Sequence, residues 1–138
     1  MGKNGGIAYA ETSFVNERQT AGKSIQSAKI KNGAGEYLAG SSKGAALAVG
    51  AAAISDTTGI VTFKYDNTVS GAYPITAVSY GMANTAAFGT AANNAIAKSY
   101  VLYVLETCAP AVAEIKGYAA LPASLVTISK ALAAKIGA

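Results

Sequence analysis

Few residues in this chain have chemistry within reach, and histidine is not among them. Without imidazole there is no Ser-His or Cys-His pair, and the usual zinc ligand sets are lost. Ala21-Gly22-Lys23-Ser24 resembles the tail of a phosphate-cradling P-loop. That motif needs a glycine five residues before Gly22, where Glu17 stands, and a helix after the lysine, where a strand-like stretch follows. A solvated turn is the better reading, with a nucleotide site as the remote alternative. Gly33-Ala34-Gly35 opens like a dinucleotide fingerprint, but Leu38 occupies the place of the third glycine and the setting is a hairpin. The seven carboxylates are spread along the chain. Glu11 and Glu17 flank a short helical stretch, and Glu106 and Glu114 lie near a helix break. A catalytic pair needs convergence that spacing alone does not supply, so each reads as surface charge. A Ser-Lys pair, for example Ser41 or Ser42 with Lys43, is conceivable, but no recognisable motif supports it. Cys108 is the only cysteine and follows an apolar run, which predicts a buried, inert thiol; an intermolecular disulfide is the lesser alternative.

Composition limits what must hold these groups in place. A chain of 138 residues with 51% hydrophobic and 13% charged residues has the make-up of one folded domain, not of a disordered segment. The apolar total leans on alanine, so the core should be built from small side chains. Eight tyrosines against three phenylalanines and no tryptophan supply most of the aromatic bulk, and their hydroxyls need partners where buried. The net charge is +4, but the lysines are scattered and Arg18 is the only arginine. Lys29 and Lys31 share one strand face with Lys23 nearby, a weak attraction for anions and too sparse for a nucleic-acid stripe. The densest apolar stretch, residues 100–105, is far short of the ~20 residues of a membrane span. Met1-Gly2-Lys3-Asn4 leads straight into a strand-like run with no apolar leader. An export signal, if the protein is extracytoplasmic, would have been removed or would lie on a longer precursor.

The elements follow from periodicity and punctuation. Ile7-Ala8-Tyr9-Ala10 reads as a short strand and residues 11–20 as helical turns, broken at Ala21-Gly22. Ser27 to Lys31 and Glu36 to Ala39 flank Asn32-Gly33-Ala34-Gly35, which predicts a β-hairpin. Ser41-Ser42 are candidate N-caps for a helix over 43–54, with Leu47, Ala51 and Ile54 on one face. Residues 60–65 read as a strand. Residues 73–83 read as the best strand of the second half, with a slip in alternation at Ala77-Val78. Thr90 should cap a long helix to about Cys108, with Ile96, Tyr100 and Tyr103 as its apolar stripe, broadened by Val101, Val104 and Leu105. Pro110 fits the first turn of a second helix that Gly117 stops. Pro122 opens a last helix with Leu125, Ile128, Leu132 and Ile136 in line. Strands precede helices, with mixed order between, which predicts an α/β or α+β domain, read here as α/β with a short mixed sheet, a β-hairpin and C-terminal helices.

The order of these pieces carries a resemblance. Gly6-Ile7-Ala8-Tyr9, the hairpin from Lys29 to Leu38, the alanine-rich stretch from Gly44 to Ala53, Tyr73-Pro74-Ile75-Thr76, the helix to Glu106 and Gly117-Tyr118-Ala119-Ala120-Leu121-Pro122 occur in one order over nearly the whole chain. Together they resemble the C-terminal part of a phosphate-binding protein of the periplasmic binding protein class (a PstS-like solute receptor). The chain departs from that pattern at Val104, where the family usually has tryptophan, and at Ala109, near which it has glycine. It also departs in length, because the family is two-lobed and about twice this size or more. The Ser/Thr, Asp and Arg ligands that the family uses for phosphate lie in the portion this chain does not match, so no phosphate ligand is carried onto any residue here. Arg18 does not match the family's ligand arginine.

The resemblance implies a periplasmic-binding-protein-like fold, residues 1–138 as one segment of a two-lobed receptor, and a location in the periplasm or outside the cell. The function it implies is that of a binding module of an ABC-type phosphate uptake system, incomplete for ligand binding by itself and not an enzyme, with no cofactor and no metal. Phosphate or a similar anion would be a partner only once the missing portion is supplied; nucleic acid and a membrane span are not expected. The alternative is a structural protein that reuses the half-fold and assembles through the apolar surface left uncovered, as a homo-oligomer or with a partner chain.

Overall fold

Caps and glycines set most of the helix ends. The computed structural model describes residues 5–86 and 89–137; the Met1–Asn4 run discussed above lies outside them. In chain order the elements are α1 (Thr12–Thr20), β1 (Ile30–Lys31), β2 (Tyr37–Leu38), α2 (Ser42–Gly50), β3 (Ala53–Ile54), β4 (Val61–Thr62), α3 (Ala91–Tyr103), a π-helical turn (Val104–Cys108), α4 (Ala109–Val112) and α5 (Ala123–Ala133). The chain is a mixture of helix and strand, as its pattern predicts. The expected short mixed sheet is replaced, among the described residues, by two separate antiparallel pairs. In one, Ile30 faces Leu38 and Lys31 faces Tyr37; in the other, Ala53 faces Thr62 and Ile54 faces Val61.

Helix α2 begins where Ser41 accepts the Gly44 N–H on its Oγ at 3.0 Å. It ends at Gly50, short of the expected residue 54. Ala53 and Ile54 leave the helical path to pair with β4, and Ser55 closes the intervening turn by accepting the Gly59 N–H at 2.8 Å. A cross-strand pair beside the core outweighs one more helical turn in a segment already weakened by glycine. The buried side of α2 is accordingly Gly44, Ala48 and Val49, with Leu47 only half-buried.

Thr90 caps α3 as expected, its Oγ1 accepting the Asn93 N–H at 3.3 Å. Pro110 stands in the first turn of α4, as expected, but no break sets that helix apart. Helix α3, the π turn and α4 run on without interruption, because the widened turn immediately before the proline relieves its clash with the carbonyl of Glu106 and its missing N–H. Gly117, at φ +78°, ends the run, with Tyr118 donating its N–H to the Ala113 carbonyl at 2.8 Å. Helix α5 lies against α3 and the π turn. It buries Leu125 and half-buries Ile128 and Leu132, and Ile136 just beyond its end is buried, which is the stripe its spacing predicts. Lys130 of α5 forms an ion pair with Glu106.

The core is small. Val49, Val61 and Leu125 form it, with Ala52, Ile54, Phe63, Val78 and Leu121 packed around them. Three sequence-based expectations fail here. Residues 7–10 and 73–83 form no strand: neither joins a ladder among the described residues, and the Val61 N–H of β4 is taken by the Tyr80 hydroxyl at 2.9 Å and not by a backbone carbonyl of residues 73–83. Ile7 is 94% exposed and Tyr9 wholly so. The Ile96, Tyr100 and Tyr103 stripe faces outward; α5 packs on α3, where Val101 is half-buried, and on the π turn, where Val104 and Leu105 are half-buried. Cys108 is half-buried rather than buried.

A folded monomer of 13.7 kDa has an accessible surface of roughly 6,600 Å². This chain has 9688 Å², roughly 3,000 Å² more than that rule gives.

Candidate functional site

Polar side chains gather at three places, and the best connected is a latch between the first hairpin and the loop after β4. Asn32 opens the hairpin turn and is 93% buried, being 7% exposed. Its Oδ1 accepts the Glu36 N–H at 2.8 Å, and its Nδ2 donates to Glu36 Oε2 at 2.8 Å and to the Ala72 carbonyl at 3.2 Å. The amide is thereby satisfied on both ends, which is what allows it to be buried. Glu36 also accepts the Ser70 hydroxyl on Oε1 at 2.8 Å and the Gly71 N–H on Oε2 at 2.7 Å.

The Gly71 N–H, then the Asn32 amide and the Ser70 hydroxyl, hold the Glu36 carboxyl below its usual range. A carboxylate with its lone pairs engaged in this way ties two loops together and has little left for proton transfer. Its folded pKa is depressed, so the stability it contributes is full above the unfolded value of about 4.3 and is lost as pH falls through the lower folded value. Glu36→Gln is therefore expected to be less stable than the parent at pH 7, with the gap narrowing as pH falls to 3. Urea unfolding at both pH values checks this; a gap that is constant with pH contradicts it.

The second place is a shallow cavity of about 210 Å³ between the start of α2 and the end of α4, lined by Ser42, Lys43, Ala46, Pro110, Ala113 and Glu114, with Ala120 at its edge. Ser42 donates its hydroxyl to Glu114 Oε1 at 3.3 Å. Neither serine pairs with Lys43. The Ser41 hydroxyl is spent as the helix cap, and Ser42 and Lys43 are consecutive helical residues whose side chains diverge. The Ser-Lys pair is not assembled.

The third place is a cleft of about 500 Å³ lined by Arg18, Lys23, Ser24 and Ile25. Here the P-loop-like tetrapeptide follows a helix instead of preceding one, so helix N-terminal amides do not face the turn. Of the other residues weighed above, Glu11, Glu17, Lys29 and Lys31 are exposed and Glu106 is paired with Lys130. No two carboxylates among them are brought together by a hydrogen bond. The Asn32–Glu36 latch is the connection that sequence reasoning missed; an Asn and a Glu four apart across a hairpin turn were its only signal. Among the described residues there is no grouping of three or more Cys, Asp or Glu side chains able to hold a metal ion, and no helix long and apolar enough to cross a membrane. No family model, curated protein or solved structure matches this chain.

Proposed function

We propose that this chain is the closing segment of a two-lobed phosphate receptor serving an ABC-type uptake system outside the cytoplasm. It acts as a binding and scaffold module, not an enzyme, and further polypeptide carries the phosphate ligands. The observation that carries this reading is the pair of strand-like segments, residues 7–10 and 73–83, that find no strand partner among the described residues while exposing Ile7, Tyr9, Ile75, Tyr80 and Met82. β-branched and aromatic residues in alternating order fit a pleated, half-covered surface. A sheet supplied by additional chain would pair these backbones and cover part of the excess surface. The ordered motifs from Gly6 to Pro122 point the same way.

The test is to isolate the protein in its native assembly, weigh that assembly by native mass spectrometry and titrate it with inorganic phosphate by calorimetry. The reading expects additional polypeptide and saturable phosphate binding. An assembly of this chain alone that gives no heat with phosphate overturns it. That outcome selects the second reading, a self-assembling structural protein, which the outward stripe of Ile96, Tyr100 and Tyr103 on α3 favours. The surface in excess is larger than the roughly 800 Å² per partner of a standard interface, so either kind of partner has room.

A further inference from the structure

We propose that Arg18, Lys23 and Ser24 form an anion site on this chain that takes a phosphoryl dianion. The site is separate from the receptor reading, which places its phosphate ligands on other polypeptide, and it stands or falls independently. The end of α1 builds it. Lys23 donates its N–H to the Arg18 carbonyl at 2.9 Å and Gly22 donates to the Gln19 carbonyl at 2.9 Å, the paired bonds of a glycine-terminated helix. Gly22 sits at φ +71°, a conformation that a side chain would strain. The reversal brings residues 18 and 23 side by side, so two cationic side chains leave the backbone at one place. The Gln19 Nε2 donates to the Ile25 carbonyl at 2.9 Å and fixes the returning strand of the turn.

The chemistry of the lining is one-sided. The cleft of about 500 Å³ holds a guanidinium, an ammonium, a hydroxyl and one aliphatic side chain, and no carboxylate. Among the described residues neither Arg18 nor Lys23 has an ion-pair partner. The Arg18 guanidinium lies over the Phe14 ring, 4.9 Å from its centroid. Stacking uses the face of the guanidinium and leaves its edge N–H groups for a ligand. A phosphoryl group matches that fork with two oxygens, and Lys23 and Ser24 add a point charge and a hydroxyl donor. The cations also offset the partial negative charge of the helix C-terminus, which would otherwise repel an anion. Half-buried Ile25 offers a wall for the organic part of a phosphate monoester. The cations are exposed, so binding should be weak, with a Kd on the order of 1 mM.

The experiment is a 1H–15N NMR titration of the whole chain with inorganic phosphate and, separately, with phenyl phosphate, each at constant ionic strength. Saturable shifts centred on residues 18–25, weakened at least fivefold in the Arg18→Gln, Lys23→Gln double variant, are expected. Tighter binding of phenyl phosphate identifies a monoester as the ligand, and equal binding identifies free phosphate. Shifts that sodium chloride reproduces, that spread over all the lysines, or that survive the double substitution overturn the proposal. Both side chains are exposed, so the fold should persist; if the double variant does not fold, Lys23→Gln alone must still weaken binding at least twofold, and an unchanged affinity in that variant is equally fatal.

Discussion

Leu125→Ala is expected to cost about 3 kcal/mol and to lower the midpoint of urea unfolding by about 2 M. Leu125 is 3% exposed, the most deeply buried member of the cluster it forms with Val49 and Val61. It joins α5 to both α2 and β4. Removing its isobutyl group strips apolar surface from all three and leaves a cavity that its neighbours, held by the β3–β4 hairpin and by the helix, can close only in part. Total stability for a domain is about 5–15 kcal/mol, so a loss of this size is a large fraction of it. The contrasting change is Ile96→Ala on the outward face of α3. It should leave unfolding of the isolated chain within about 0.5 kcal/mol of the parent, since an exposed side chain has few contacts to lose. An Ile96→Ala loss equal to that of Leu125→Ala would show that the α3 stripe, and not α5, carries the core.

Gly33→Ala should destabilise by about 2–3 kcal/mol although it adds a single methyl group. A Cβ on residue 33 would press on the Asn67 carbonyl oxygen and lie 2.7 Å from the Asp66 carbonyl oxygen and 2.8 Å from its carbon. These are backbone atoms and cannot turn aside as a side-chain tip would. The hairpin turn would have to move away from residues 66–72, and that movement opens the bonds from Ser70 and Gly71 to Glu36 and from Asn32 to Ala72. Faster hydrogen exchange at the Gly71 N–H should accompany the drop in urea midpoint. Gly50→Ala is the control. Nothing lies within 4 Å of a Cβ there and its backbone is that of a helix end, so it should stabilise by roughly 0.5–1 kcal/mol. Equal effects from the two substitutions would discard the steric account of Gly33.

Elements marked by a local chemical signal were legible in the sequence. Ser41 and Thr90 start helices because a hydroxyl can satisfy an orphan N–H only from the position before the first turn. Gly22 and Gly117 end helical segments because glycine tolerates the left-handed conformation there. The Asn-Gly-containing turn makes its hairpin, and α5 turns its predicted stripe inward. The strands around residues 7–10 and 73–83 were not legible in the same sense. Their residues favour a pleated conformation, but a strand exists only when a second backbone accepts its hydrogen bonds.

The candidate site divides along the same line. The sequence excludes histidine chemistry outright, breaks both glycine-rich nucleotide motifs at Glu17 and Leu38, and sets Arg18 and Lys23 five residues apart around a glycine. Those are statements about residue type and spacing, and they hold in any fold. Tertiary structure alone decided that Asn32 is buried, that Glu36 binds a loop 35 residues further on, and that Ile96, Tyr100 and Tyr103 point outward. An amphipathic pattern fixes that a helix has an apolar face; which side of that face is covered depends on the elements that arrive against it. In this chain α5 reached one side of α3 and left the Ile96, Tyr100 and Tyr103 side in solvent, and the chain exposes roughly 3,000 Å² more than the monomer norm.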